Sequence, residues 1–276
     1  MLHRYKLAVF DIDGTLVDRE RRMNDETKEA LLALKQSGIL LGLASGRSLD
    51  QLKGYEQEWG VSFDFAIGLN GSRLYDGLDQ KAYKFFDLKK EWIKEIVELM
   101  EPFDLNCHLY HETYTLYLRE DERAQKARQN KRRPVMIAKT PADLYADDVP
   151  KIMYTMSEEL SHMIEAYVNK LGEKPYKLVR TQPTVLEFVP AMCSKQYALK
   201  VYCEKHGFKL TEVVAFGDTS NDNELIEAAG LGVCMVNGSE DTKKLADMVT
   251  EKSNDENGVA AFIQKYLYQE EGSDQF

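Results

Sequence analysis

The same local pattern stands near both ends of this chain: an uninterrupted apolar run that stops at an aspartate beside a glycine. Leu7-Ala8-Val9-Phe10 runs into Asp11-Ile12-Asp13-Gly14-Thr15, and Val213-Val214-Ala215-Phe216 runs into Gly217-Asp218-Thr219-Ser220-Asn221-Asp222. A short run without polar alternation reads as a strand buried on both faces, as in parallel sheets covered by helices. Such strands need helical crossovers between them, and the intervening sequence supplies these. Asn24-Asp25-Glu26 offers capping and acidic residues, Ala30, Leu31 and Leu34 follow at helical spacing, and Gly38 stops the helix. Ile39 to Ala44 is a second buried strand, ending in Ser45-Gly46-Arg47. A helix through Leu49 and Leu52 leads to a third strand, Phe63 to Gly68. After Asp222 the pattern resumes with a helix through Leu225 and Ile226, a strand from Leu231 to Val236 and a helix near Lys243 to Ala246. Asn257-Gly258-Val259 opens the last helix. This alternation predicts an α/β fold with a doubly wound, mostly parallel sheet, a Rossmann-like core.

The middle of the chain reads differently. Glu91 to Met100 is an amphipathic helix, and Asn106 to His111 with Tyr114 to Arg119 alternates as a hairpin about Glu112-Thr113. A charged helical stretch spans Asp121 to Arg133, followed by a strand from Lys151 to Met156 and a helix from Glu158 to Leu171. Tyr176 to Arg180 and Val185 to Val189 form a last strand pair around Thr181-Gln182-Pro183-Thr184. Alternating strands with one wet face imply an antiparallel sheet with helices on the other side. The expected organisation is a core from residues 1–80 and 191–276, interrupted by an inserted α+β domain at 81–190. Asp76-Gly77 and Pro190-Ala191 are the expected hinges.

Composition narrows the partners. The 276 residues carry 46 acidic and 36 basic side chains, a net charge of −10, which repels nucleic acid and anionic membrane surfaces. Cys107, Cys193, Cys203 and Cys234 form no CxxC pair, which speaks against a zinc site or disulfide framework and fits a reducing compartment. The apolar run after the N-terminus is too short for a signal-peptide core, and no stretch approaches membrane-span length. The expected setting is cytoplasmic, with no nucleic-acid or membrane partner, as a monomer or homodimer.

In an open α/β sheet, ligands bind at the carboxyl ends of the strands. Asp11 and Asp13, Ser45, and Asp218 with Asp222 all lie there in the predicted layout. Converging carboxylates repel one another unless a hard cation sits among them, and an all-oxygen donor set suits Mg²⁺. Lys195, at the start of the helix to Glu204, can bring an ammonium to the same edge. A carboxylate, a metal, a cation and a hydroxyl donor together make a phosphoryl site.

These residues resemble the haloacid dehalogenase-like hydrolase superfamily. Asp11-Ile12-Asp13-Gly14-Thr15 resembles its first motif, Ser45-Gly46-Arg47 the second, Lys195 the third and Gly217-Asp218-Thr219-Ser220-Asn221-Asp222 the fourth. Order and spacing are similar to the Cof-type branch, whose type IIB cap lies between the second and third motifs. Asn70-Gly71-Ser72, Ala246-Asp247-Met248-Val249-Thr250 and Asn257-Gly258-Val259-Ala260 are further Cof-like traces. The resemblance covers both halves of the core, whereas the cap matches only in position, size and element order. Gln196 departs from it, standing where many relatives have glycine.

The resemblance implies a Mg²⁺-dependent phosphatase of small phosphorylated metabolites, a sugar phosphate or a phosphorylated cofactor, working through an aspartyl-phosphate. Asp11 would be the nucleophile and Asp13 the general acid/base. Asp11, Asp218 and the Asp13 backbone carbonyl would bind the metal. Ile12, Ser45, Gly46, Lys195 and Asn221 would hold the phosphate, and Asp222 would orient bound water or Lys195. The alternatives are a sugar phosphomutase and a non-catalytic phospho-acceptor or binding protein.

Each motif alone has a plainer reading: Asp-x-Asp-Gly as a turn, Gly217-Asp218 or Ser45 as a helix cap, Lys195 as a solvated lysine. Their coincidence in family order is what selects the phosphoryl site. His108 and His111, three apart on a strand, point to opposite faces and do not share a metal. Lys126, Arg128, Lys131, Arg132 and Arg133 read first as a solvated face. Tyr110, Tyr114 and Tyr117 read as hairpin packing, and Cys193 has no local histidine base.

Overall fold

The computed structural model describes residues 4–111, 113–130 and 133–268. The chain divides into two compact units, Met1–Phe85 with Ser194–Phe276, and Phe86–Cys193.

The first unit begins with β1 (Leu7–Phe10), α1 (Asp25–Gln36), β2 (Leu40–Ala44), α2 (Leu49–Trp59), β3 (Phe65–Gly68), β4 (Arg73–Asp76) and β5 (Lys81–Lys84). The second unit follows with α3 (Lys90–Met100), β6 (Cys107–Tyr110), β7 (Thr115–Tyr117), α4 (Glu122–Gln129), β8 (Val135–Ile137), β9 (Ile152–Thr155), α5 (Glu158–Val168), β10 (Tyr176–Gln182) and β11 (Val185–Pro190). The chain then completes the first unit with α6 (Lys195–His206), β12 (Val213–Gly217), α7 (Asn223–Ala228), β13 (Leu231–Cys234), α8 (Glu240–Leu245), β14 (Met248–Val249) and α9 (Gly258–Phe262).

The first unit is one sheet in the order β14-β13-β12-β1-β2-β3-β4-β5. It is parallel from β14 to β3, and β4 and β5 join antiparallel. Strand residues divide between two apolar cores. Ala8, Phe10, Leu41, Leu43, Val214 and Phe216 enter one, and Leu7, Val9, Ala44, Phe65, Val213 and Ala215 enter the other. That two-sided burial is why these runs contain no polar residue. Phe10 and Phe216 are register partners and stack with centroids 5.0 Å apart, locking β1 to β12. From β1 the chain goes through β2 to β3 on one side and, later, through β12 to β14 on the other. The order therefore reverses between β1 and β12, where a crevice for ligands forms at the strand ends.

The second unit has a sheet in the order β10-β11-β9-β6-β7-β8, antiparallel except for the β7–β8 pair. It has one apolar core. Cys107, Leu109, Ile152, Tyr154, Leu186 and Phe188 enter it with Ile93, Ile96 and Met100 of α3 and Ile164 of α5. His108 and Tyr110, alternating with Cys107 and Leu109, lie on the opposite face. No helix among the described residues is long and apolar enough to cross a membrane.

The structure corrects the layout at several points. Asp76-Gly77 is no hinge between units: Asp76 ends β4, and β5 returns beside it through the Asp76–Lys81 pairing. The first unit thus runs to Phe85, and the second crossing lies at 193/194, beyond Pro190-Ala191. Lys81-Ala82-Tyr83-Lys84 has no buried residue and no apolar alternation, as befits an edge strand guarded by lysines. The short strand β8 carries no pattern either, with Val135 and Ile137 half-buried and Met136 exposed. Among the described residues the charged helix is α4, with Asp121 as its N-cap accepting from Ala124 N. Lys131, Arg132 and Glu112 lie outside the described residues.

Candidate active site

β1, β2 and β12 are adjacent, and the residues that follow their carboxyl ends make the site. Asp11 N donates to Phe216 O at 2.9 Å and Ser45 N to Ile67 O at 2.9 Å, so both residues extend their strands by one ladder bond. Lys195 is the first residue of α6, whose N-cap Ser194 accepts from Tyr197 N. From there its side chain reaches back to the sheet edge. Lys195 Nζ donates to Asp11 Oδ1 at 2.6 Å and to Asp222 Oδ1 at 2.6 Å. All three side chains are buried. Asp218 joins them, since carboxylate oxygens of Asp11, Asp218 and Asp222 lie within 4.8 Å of one another. Asp222 Oδ2 also accepts from Asp218 N at 3.1 Å, which fixes the turn between the two aspartates.

Three buried carboxylates against one ammonium leave two negative charges, and the titration of the groups reflects this. Burial is the main force raising the Asp11 carboxyl, to about 7; Lys195 opposes it while Asp222 and Asp13 add to it. Asp218 is likewise raised, by burial first and then by Asp11 and Asp222. Burial alone would lower Lys195, but its two carboxylate partners outweigh that and hold it charged. A divalent cation would neutralise this surplus, and the oxygen-only donors match the chemistry of Mg²⁺. Room has been kept for the carboxylates as well. Gly14 has φ +87, and a Cβ there would lie 2.3 Å from Asp218 Oδ2. The residues present therefore fit the ion.

Asp13 stands apart from this cluster. Its carboxylate is forked by Arg47, with Nε to Oδ2 at 2.9 Å and Nη2 to Oδ1 at 2.5 Å. Arg47 in turn lies over the Tyr55 ring, 5.1 Å from its centroid. Ser45 is buried beside the start of α2, its Oγ 3.4 Å from Arg47 N. Ile12 is fully buried in the core, so only its backbone is available to a ligand. Gly46 lies against Asn70, and Asn221 Nδ2 donates to Asn70 Oδ1 at 3.2 Å.

Two residues carry more than the motif reading gave them. Arg47 appeared only as the last letter of the second motif, yet it holds Asp13. Asn70 was one of the Asn70-Gly71-Ser72 trace, yet it links the second and fourth motifs. Leu69 and Asn70 have φ of 51 and 55, a left-handed pair of non-glycine residues. The asparagine was the available signal, being the residue type besides glycine that best tolerates this conformation.

Residues 8–263 match the family described as haloacid dehalogenase-like hydrolase. The chain belongs to that family. Among its hydrolase relatives, the HMP-PP phosphatase of Klebsiella pneumoniae is 28% identical over 233 residues, covering 84% of each chain. The 5-amino-6-(5-phospho-D-ribitylamino)uracil phosphatase YitU of Bacillus subtilis is 25% identical over 265 residues, 95% of this chain and 97% of its own. The fold is also that of the HAD subclass IIB sugar phosphatase BT4131, with a TM-score of 0.79 at 24% identity over 94% of this chain and 98% of that one.

Other residues singled out in the sequence have neighbours of their own. His108 stacks on Tyr117 at 4.8 Å, and His111 stacks on Tyr114 at 4.3 Å. Lys126 and Arg128 pair with Glu122 and Glu120 on an exposed helix face, and Arg133 lies 5.5 Å from the Tyr110 ring centroid. All four cysteines are buried.

Proposed function

We propose that this hydrolase is a Mg²⁺-dependent phosphatase of a small phosphorylated metabolite, a sugar phosphate or phosphorylated cofactor. The observation that carries the reading is the buried cluster in which Lys195 bridges Asp11 and Asp222 with Asp218 alongside. Asp11, Asp218 and the Asp13 backbone carbonyl would hold the metal, which when bound neutralises phosphoryl oxygens.

The chain's own groups do the rest. Lys195 takes Asp11 Oδ1, leaving Oδ2 to attack phosphorus and form the aspartyl-phosphate. The leaving alkoxide takes a proton from Asp13. Asp13 then removes a proton from water, whose oxygen attacks phosphorus and breaks the bond to Asp11, restoring the carboxylate. Both Asp13 oxygens accept from Arg47, so Asp13 must turn from the guanidinium to reach the leaving group. Ser45, Lys195, Asn221 and the amides of Ile12 and Gly46 hold the transferring oxygens, and Asp222 keeps Lys195 aimed at Asp11. Residues 86–193 are assigned the choice of leaving group. Cysteines that are all buried and form no CxxC pair suit a reducing, cytoplasmic setting.

The test is hydrolysis of p-nitrophenyl phosphate with Mg²⁺, repeated with EDTA. Chelation should abolish turnover, and re-added Mg²⁺ should restore it. Free phosphate should appear without any bisphosphate activator, which separates hydrolysis from mutase chemistry. A panel of phosphorylated metabolites without metal-dependent release would falsify the assignment; with release, ranking by kcat/KM identifies the substrate class.

A further inference from the structure

The loop carrying Asp218, Asn221 and Asp222 is held by α8 and the turn before it. A Cβ on Gly238 would lie 2.6 Å from the Asp218 carbonyl oxygen, so the two backbones are in close packing. Ser239 N donates to the same carbonyl at 2.8 Å. Side chains extend the hold. Asp241 Oδ2 accepts from Ser220 Oγ at 2.9 Å and from Asn223 Nδ2 at 2.9 Å. Asn223 Oδ1 accepts from Thr242 Oγ1 at 2.6 Å, and Thr242 Oγ1 meets Ser239 Oγ at 2.8 Å.

Ser220 stands midway between Asp218 and Asp222 in the chain, and Asn223 follows Asp222 directly. One carboxylate thus ties both shoulders of the acidic loop to the first turn of α8. Asp241 is outside the three converging carboxylates, and its hydrogen bonds from Asn223, Ser239 and Ser220 outweigh the cost of its partial burial and keep it ionised. Converging like charges push the loop outward until a cation arrives, so the restraint must come from the far side of the loop.

We propose that Asp241 is a positioning residue for the metal site: through Ser220 and Asn223 it keeps Asp218 and Asp222 aimed at Asp11. The proposal rests on the metal reading above. Partners behind metal ligands typically change metal affinity by about 10–100-fold when removed. Asp241→Ala should therefore raise the dissociation constant for the ion about tenfold. It should leave kcat at saturating Mg²⁺ within about twofold, because the loop reaches the same bound arrangement once the ion is present.

The experiment is a Mn²⁺ titration of the full-length, metal-stripped protein, followed by electron paramagnetic resonance without substrate. Turnover is measured in parallel across a Mg²⁺ series. Weaker Mn²⁺ binding by Asp241→Ala, with kcat retained at saturation and affinity partly recovered in Asp241→Asn, supports the assignment. Unchanged Mn²⁺ affinity overturns it, as does a fall in kcat that added Mg²⁺ does not repair. A wild type that takes up no Mn²⁺ overturns the metal reading itself, a result distinct from either. Should Asp241→Ala fail to fold, Ser220→Ala decides in its place through the loss of one donor, with an expected rise of about threefold.

Discussion

In the first unit the central strands are apolar from end to end; in the second, the two central strands β6 and β9 alternate. β1, β3 and β13 have no residue above the buried class, whereas β6 and β9 switch between buried and half-buried at every step. A strand buried on both faces can present polar groups only where it stops, so Asp11, Ser45 and Asp218 stand just beyond the ends of β1, β2 and β12. In the second unit β11 is buried from Leu186 to Pro190 yet carries a polar group in mid-strand, Glu187 between Leu186 and Phe188. There Lys151 Nζ meets both oxygens of Glu187, at 3.0 and 2.9 Å. Each unit buries a lysine, but Lys195 is held by carboxylates that follow two strand ends, whereas Lys151 meets a carboxylate in the middle of a neighbouring strand. The difference separates an edge suited to reaction from a face suited to holding a shape or a ligand.

The sharpest way to break this contrast is at the edge. Asp11→Asn should lower kcat for p-nitrophenyl phosphate by at least about 10⁴-fold and remove covalent phosphate from acid-quenched protein, read by mass spectrometry. Retained phosphoprotein would move the nucleophile elsewhere. Asp13→Asn should cost about 10²–10⁴-fold in kcat, less for esters with good leaving groups, because only the proton transfer is lost. An equal loss across leaving groups would argue that Asp13 acts through structure alone.

On the face, Glu187→Gln leaves the Lys151 ammonium buried beside a neutral amide. Breaking a buried pair this way costs about 3–5 kcal/mol, measurable by urea denaturation. The double variant Lys151→Met/Glu187→Leu should recover much of it, showing the pair to be dispensable for stability. The smallest effect concerns His108. Burial foremost, then Lys151 and Arg123, depresses its pKa from an ordinary 6.5 to about 3. The unfolded chain therefore binds a proton in that window that the folded chain does not. Stability contributed by the neutral imidazole is complete above pH 6.5 and declines as pH falls toward 3, by about 1 kcal/mol between pH 7 and 5.5. His108→Phe should flatten that decline in denaturation curves taken across the window.

The same contrast explains what was legible in the sequence. β1, β2, β3, β12 and β13 were readable because two-sided burial forbids polar interruption, and the acids at their ends stood out against it. β5 was not readable, since an exposed edge strand of lysines and one tyrosine has no burial pattern to show. The Lys151–Glu187 pair was hidden because antiparallel pairing of β9 with β11 brings together residues far apart in the chain. Nor does a motif record direction: Asp13 turns to Arg47, away from Asp11, through a side-chain choice that no spacing encodes.

The register of β1 has a consequence for synthesis. Leu7 to Phe10 pair on one side with Leu40 to Leu43 and on the other with Val213 to Phe216. A ribosome delivers the second neighbour only after all of residues 86–193 have emerged. Throughout that interval β1 waits with one flank unpaired and its aspartate without Asp218. The edge that bears Asp11 is thus completed only once the inserted unit has been made.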